Sequence, residues 1–273
     1  MSAANHLGGI RPDYEAFRAF VSSHLDDVLE LVNSRSTQTN EIGRCATLLP
    51  ALGLLPPSLA LIEVGASAGL NLLLDEYGYD YGDGRVLGDT SSGVVIPSRL
   101  RNDVPLPGRV PEVSWRRGID LNPIDVNDPE ATRWLESCVF FDHVDRRERL
   151  TAAVAWARAH PPEIVQGDLV EELTAVVADA PKEATVVVFH SAVLSYLERE
   201  RREVFADLVR ELDVVWLSNE GPSVVGSLKS ALDRPLPKEV CFLLGRDGGQ
   251  PLAFTHPHGR WIEWLASPRG GLG

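Results

Sequence analysis

The chain has 273 residues, 44% of them hydrophobic and 24% charged, and a formal net charge of −13. That balance excludes a disordered chain, the apolar runs are too short to span a bilayer, and the excess of acid disfavours a nucleic-acid partner. Cys45, Cys138 and Cys241 are odd in number and far apart, which predicts reduced thiols in a cytoplasmic protein rather than a disulfide framework or a metal cluster.

In chain order, Phe17, Phe20, Val21, Leu25, Val28 and Leu29 recur at helical spacing and predict a helix over 13–33. A second helix is expected over 40–52. Between them runs Arg35-Ser36-Thr37-Gln38-Thr39-Asn40-Glu41, followed by Arg44, dense in hydrogen-bonding groups. It reads either as a capping turn with Thr39 or Asn40 as N-cap, or as a polar lid over a ligand site. Pro56-Pro57 closes this segment, so residues 1–55 are expected to form a helical cap and 56–273 the main domain.

Leu59 to Val64 is a short apolar strand carrying Glu63. It leads into the small-residue turn Gly65-Ala66-Ser67-Ala68-Gly69, and Leu70, Leu72, Leu73 and Leu74 then predict a helix. Strand, glycine turn and helix start form a junction where backbone N–H groups can face a nucleotide-like ligand. A plain turn with no ligand is the alternative.

Residues 76–112 read as an inserted loop, rich in Gly and Pro, in which Tyr77, Tyr79 and Tyr81 alternate onto one face. The insertion either shapes a substrate pocket or packs on its own tyrosines. Residues 113–120 form the second strand, ending at Asp120, with Asn122-Pro123 after it. Asp128-Pro129 opens a helix. Asp120 suits a ribose diol or a helix cap. A third strand, 163–166, is followed by Gly167-Asp168-Leu169, where Asp168 suits an adenine amino group or a helix cap. The fourth strand, 185–189, leads to His190, and the fifth, 214–218, leads to Asn219-Glu220. Residues 240–244 and 251–255 form a hairpin across Arg246-Asp247-Gly248-Gly249. His256 and His258 lack a third ligand at a recognisable spacing, so no metal is expected.

Strands alternating with helices predict an α/β fold with a mainly parallel sheet. Glu63, Asp120, Asp168, His190 and Glu220 then gather at the carboxyl edge, where open α/β sheets bind ligands. That acidic edge suits a ligand with hydroxyl, amine or sulfonium groups better than a pyrophosphate.

Three segments carry a family resemblance. Glu63-Val64-Gly65-Ala66-Ser67-Ala68-Gly69, Gly118-Ile119-Asp120-Leu121-Asn122-Pro123 and Gly167-Asp168-Leu169 resemble the cofactor segments of class I S-adenosylmethionine-dependent methyltransferases over about residues 55–265. The stretches TQTNEIGR, EVGASAGLNLLLDEY, GIDLNPIDV and PHGRW are similar, more narrowly, to a bacterial family called domain of unknown function 2332. The wider resemblance implies a Rossmann-like methyltransferase fold with a seven-stranded sheet and a terminal antiparallel hairpin.

It also implies S-adenosylmethionine as cofactor and a small-molecule acceptor. Gly65 and Gly69 would approach the methionine part and Glu63 its amino group. Asp120 would hold the ribose and Asp168 the adenine, while Ser67, Asn71, Asn122 and Leu169 complete the expected set. Ser67 departs from the glycine of that pattern. His190 would lie near the reacting methyl as a base, or rest hydrogen-bonded in the core, with Tyr196 and Glu220 as further catalytic candidates. Two rival readings are a nicotinamide-dependent oxidoreductase and a non-catalytic binding module on the same fold.

Overall fold

The computed structural model describes residues 1–9, 13–35, 37–140 and 142–265. Ser36, within the polar run, lies outside them. Helices lead the chain: α1 (Ser2–His6), α2 (Tyr14–Ser23), α3 (Leu25–Ser34) and α4 (Cys45–Leu52), the last preceded by a 3-10 turn, Ile42–Arg44. The helix expected over 13–33 is therefore two helices. α2 starts where the Asp13 side chain accepts the Ala16 N–H and stops at His24, whose φ/ψ of −124°/32° leave the helical region.

The strands are β1 (Leu59–Val64), β2 (Gly78–Asp80), β3 (Val86–Leu87), β4 (Val95–Pro97), β5 (Arg99–Leu100), β6 (Val113–Asp120), β7 (Ile164–Gln166), β8 (Thr185–Ser191), β9 (Val215–Glu220), β10 (Phe242–Arg246), β11 (Gln250–Thr255) and β12 (Trp261–Trp264). Between them lie α5 (Pro129–Ser137), α6 (Val144–Ala159), α7 (Leu169–Ala178), α8 (Arg199–Glu211) and α9 (Gly226–Ser230). The main sheet has nine strands, not seven, in the order β5-β12-β11-β10-β9-β8-β1-β6-β7. β7, β6, β1, β8 and β9 are mutually parallel, and β10, β11 and β12 extend the sheet antiparallel. The expected hairpin is β10–β11. The two extra strands are β12 and the two-residue β5, which pairs with it in parallel.

β2, β3 and β4 form a separate three-stranded sheet within the insertion. One apolar core lies under α4, α5 and α6, and the other under α7 and α8. Chain order reverses about β1. It runs outward through β6 and β7, then returns to β8 on the other side, so the crevice at the ends of β1 and β8 is the switch point where such sheets bind ligands.

After the glycine turn the chain forms no α-helix. Leu70–Glu76 is a 3-10 stretch kinked at Leu73. A tight helix this short leaves carbonyls without intrahelical partners. Distant side chains supply the donors. Tyr77 Oη donates to the Leu70 carbonyl at 2.7 Å, Arg116 Nη1 to Leu72 at 3.1 Å, and Tyr79 Oη to Leu74. The tyrosines therefore pack inward, Tyr77 and Tyr79 fully buried, and brace the segment that follows the turn.

Tyr81 does related work in α4. Pro50, inside that helix, has no N–H for the Ala46 carbonyl one turn back, and Tyr81 Oη donates to that oxygen at 2.7 Å.

Candidate functional site

The parallel strands bring Glu63, Asp120, Asp168, His190 and Glu220 to one edge, as their positions at strand ends require. The glycine turn there is held by the protein itself. The Gly65 and Ala66 N–H groups donate to the Ile119 carbonyl at 2.8 and 3.1 Å, and Gly69 N–H to Ala66 at 2.7 Å. Ser67 N–H donates to Asp120 Oδ2 at 2.7 Å. Leu70 N–H donates to Asn40 Oδ1 at 2.9 Å. Gly69, at the N-cap, has no side chain, so Asn40 caps that 3-10 start from thirty residues away. The expectation that free turn amides face a ligand is corrected by these bonds. The amides of Gly65, Ala66, Ser67, Gly69 and Leu70, most of those that would cradle a pyrophosphate, already have partners.

The two glycines are also explained differently from expectation. Gly65 and Gly69 have φ of +72° and +69°, the left-handed region that favours glycine. A Cβ at Gly65 would stand 2.5 Å from Val193 Cγ2, and one at Gly69 would stand 2.5 Å from Pro162 Cγ. Both glycines leave room for these protein side chains at a left-handed backbone position. Ser67 is left-handed as well, at φ 54°.

On the α4 side of the edge, Glu63 is 3% exposed. Its Oε1 accepts Asn71 Nδ2 at 2.7 Å, and its Oε2 has no partner among the described residues. Burial pushes its pKa up to about 8; the Asn71 hydrogen bond and Arg44 oppose that rise, and the nearby Asp120 adds to it. Ser67 Oγ, 5% exposed, is likewise without a protein partner. Asn71 Oδ1 in turn accepts the Cys45 thiol at 3.3 Å.

Asp120 is half-buried and each of its oxygens accepts one backbone N–H, from Ser67 and, at 2.8 Å, from Asn122. Asn122 is exposed, and its carbonyl accepts Gln38 Nε2 at 2.9 Å. Asp168 is in the arrangement of the capping alternative. Its Oδ1 accepts the Val170 N–H at 2.8 Å and also pairs with Arg201. Leu169 opens α7 and is buried in the core under it.

His190 lies in the core. It is 0% exposed, its Nδ1 donates to Glu220 Oε1 at 2.8 Å, and its Nε2 accepts Trp216 Nε1–H at 3.0 Å. That pairing defines the neutral Nδ1–H tautomer and leaves no lone pair for an acceptor's proton. The expected base role for His190 is corrected accordingly. Glu220 Oε1 also accepts the Val193 and Leu194 N–H groups at 2.8 and 3.0 Å, which fixes the loop after β8, while its Oε2 has no protein partner. Tyr196 is 74% exposed and stands outside this network.

Arg44, named in the sequence only as part of the polar run, lies among the acids of the edge. It is 6% exposed, donating from Nη1 to Ser191 O at 2.8 Å and from Nε to Pro257 O at 2.9 Å. Burial lowers its pKa, while the charges of Glu41, Glu220 and Glu63 oppose that. Glu41 pairs with buried Arg146 and approaches His258 Nδ1 at 3.4 Å. Burial opposes its charged form, yet the close His258 ring and the charges of Arg146 and Arg44 outweigh that and hold the Glu41 carboxyl at about 2.

Glu41 Oε1, not Thr39 or Asn40, caps the following 3-10 turn by accepting Gly43 N–H at 3.1 Å. The polar run therefore lies across the carboxyl edge, reaching Asn122 through Gln38, the glycine turn through Asn40, and β8 and the β11–β12 connection through Arg44. Its one signal in the sequence was the density of polar groups. Among the described residues no group of His, Cys, Asp and Glu could hold a metal ion, and no helix is long and apolar enough to cross a membrane.

Residues 8–264 match the family profile described as "Uncharacterized protein conserved in bacteria (DUF2332)". The chain belongs to the DUF2332 family. No curated protein matches it. One solved structure, from work on "Conversion of a Disulfide Bond into a Thioacetal Group during Echinomycin Biosynthesis", is similar over 78% of this chain and 72% of that one, at 16% identity and a TM-score of 0.31. In this DUF2332 chain the carboxyl edge is thus a buried acidic cluster crossed by a polar strap, with a buried arginine among the acids.

Proposed function

We propose that this DUF2332 protein binds S-adenosylmethionine at the ends of β1 and β6 and transfers its methyl group to a small-molecule acceptor. The observation that carries the reading is the pair of buried, unpartnered atoms at the glycine turn, Glu63 Oε2 and Ser67 Oγ. Buried polar atoms in native proteins are nearly always hydrogen-bonded, and a ligand is one source of the missing partners. A carboxylate held near pH 8 by burial gains most from a cationic partner, so the amine end of such a ligand fits Glu63. Asp120 accepts one N–H at each oxygen, and a carboxylate oxygen can accept two, which leaves room for ribose hydroxyls.

When bound, S-adenosylmethionine supplies a methyl group activated by its sulfonium, which leaves as a neutral thioether. The chain's own part is to bind, orient and exclude water. Glu63 and Asn71 hold the amine end, Asp120 the ribose, and the Gln38–Arg44 strap closes the edge. With both nitrogens of His190 engaged, the reading favours acceptors whose attacking atom has a free lone pair at neutral pH. The same fact favours a second reading, a module that binds the ligand without turnover.

Calorimetry tests both. S-adenosylmethionine and S-adenosylhomocysteine should each bind at one site, with NAD giving no heat because all but one of the amides from Gly65 to Leu70 are already bonded within the protein. Absence of heat with both adenosyl ligands at millimolar concentration would falsify the proposal. Binding with no methyl transfer across thiol, amine and carbon acceptors would select the second reading.

A further inference from the structure

Beneath the helical cap lies a second site. A cavity of about 520 Å³ is lined by Tyr14, Phe17, Val139 and Phe140, with Thr37 and Thr39 along one wall. Its volume is within the range of small-molecule pockets. Among the described residues lining it there is no lysine or arginine. Its one carboxylate, Asp13, already serves as the N-cap of α2, accepting Ala16 N–H at 2.8 Å. The helices above are under-packed: neither α2 nor α3 buries a single residue, and Tyr14, Leu25, Leu29 and Val32 are exposed.

The wall made by residues 37–39 is shared with the crevice. Side chains of an extended segment alternate sides. Here Thr37 and Thr39 line the cavity, while Gln38 between them reaches the other way to Asn122 beside Asp120. Asn40, next along, caps the 3-10 stretch at Leu70. One thickness of chain separates the apolar cavity from the acidic edge.

We propose that this cavity binds the body of an uncharged, largely apolar small molecule and that this is the acceptor class of the site. The second half of that statement rests on the methyl-transfer reading above. The described walls are mostly apolar, with no cationic side chain to pair an anion and a single carboxylate already engaged as a helix cap, so a charged metabolite buried there would be poorly compensated for its lost hydration. The threonine hydroxyls offer polar contacts to a hydroxyl or carbonyl of the ligand, and Asn5, whose Nδ2 already donates to Ser137 O at 3.1 Å and Val139 O at 3.5 Å, offers its Oδ1 to a hydroxyl. The same occupant would complete the packing under α2.

The test uses the full chain and the neutral fluorescent probe N-phenyl-1-naphthylamine. Cys138 lines the cavity and serves as reporter, while Cys45 and Cys241 are buried elsewhere. The expected result is saturable fluorescence at one site, slower alkylation of Cys138 by N-ethylmaleimide when the probe is bound, and a loss of affinity of roughly tenfold or more in Thr39→Trp. Probe binding that leaves Cys138 unprotected in the unaltered protein overturns the inference, whether or not Thr39→Trp folds, and so does absence of saturable binding. Calorimetry with S-adenosylmethionine keeps the two proposals apart. Donor heat without cavity binding removes this inference alone, and cavity binding without donor heat removes the acceptor assignment along with the methyl-transfer reading.

Discussion

Glu63 is the residue on which stability and the proposed cofactor binding oppose each other. Its ordinary pKa of 4.5 is raised to about 8 in the folded chain, chiefly by burial. The folded state therefore binds the proton more tightly than the unfolded one. The stabilisation this gives is complete below pH 4.5 and is lost progressively as the pH rises through about 8, at about 1.4 kcal/mol per pH unit where only the native state is protonated. Glu63→Gln keeps an oxygen for Asn71 and removes the titration. Its thermal midpoint should exceed that of the parent at pH 8 and coincide with it near pH 4.5, and its affinity for S-adenosylmethionine should fall at least tenfold. Equal midpoints at both pH values would mean that the carboxyl is not held protonated. Glu41 has the reverse sign. Held at about 2, it contributes stability above its ordinary 4.5 that is lost as the pH falls from there through about 2.

Among the elements, the glycine turn and the 3-10 stretch after it are where expectation and structure part. The run Leu70-Asn71-Leu72-Leu73-Leu74 is buried at all five positions, so its apolar pattern has no exposed face from which periodicity could be read. Its geometry is set by Tyr77, Tyr79 and Arg116, and no local rule in Leu70–Glu76 signals those partners. The parallel strands, the cap pair Asp128-Pro129 and the β10–β11 hairpin were legible because each rests on a local signal. The short strands β5, of two residues, and β12, of four, were not, since strands so short owe their existence to their partners. His190 was placed at its strand end correctly, but Trp216, which occupies its second nitrogen, comes from the neighbouring strand. Gly69→Ala should now destabilise the fold, by roughly 2 kcal/mol or more, because it puts an L side chain at φ +69° and a Cβ against Pro162. A urea midpoint equal to that of the parent would show that Pro162 and the turn yield freely.

Across the whole molecule, the cap, the insertion and the sheet are joined by polar contacts that cross from one to another. Arg44 ties the cap to β8 and to the β11–β12 connection, Asn40 ties it to the glycine turn, and Tyr81 ties the insertion to α4. Tyr81→Phe should leave the Ala46 carbonyl buried without a donor and cost about 1–3 kcal/mol. Pro50→Ala restores a backbone N–H at that place, so adding it to Tyr81→Phe should recover part of the loss. Strictly additive denaturation energies in that double-mutant cycle would show that the hydroxyl and the proline act independently. The hydroxyl also bears on chimeras. A proline in the cap is tolerable only while a tyrosine some thirty residues later, in another part of the fold, supplies the missing proton. A chimera that replaced residues 1–55 of this chain would therefore have to match its position 50 to the tyrosine at 81, even where the segment looks self-contained.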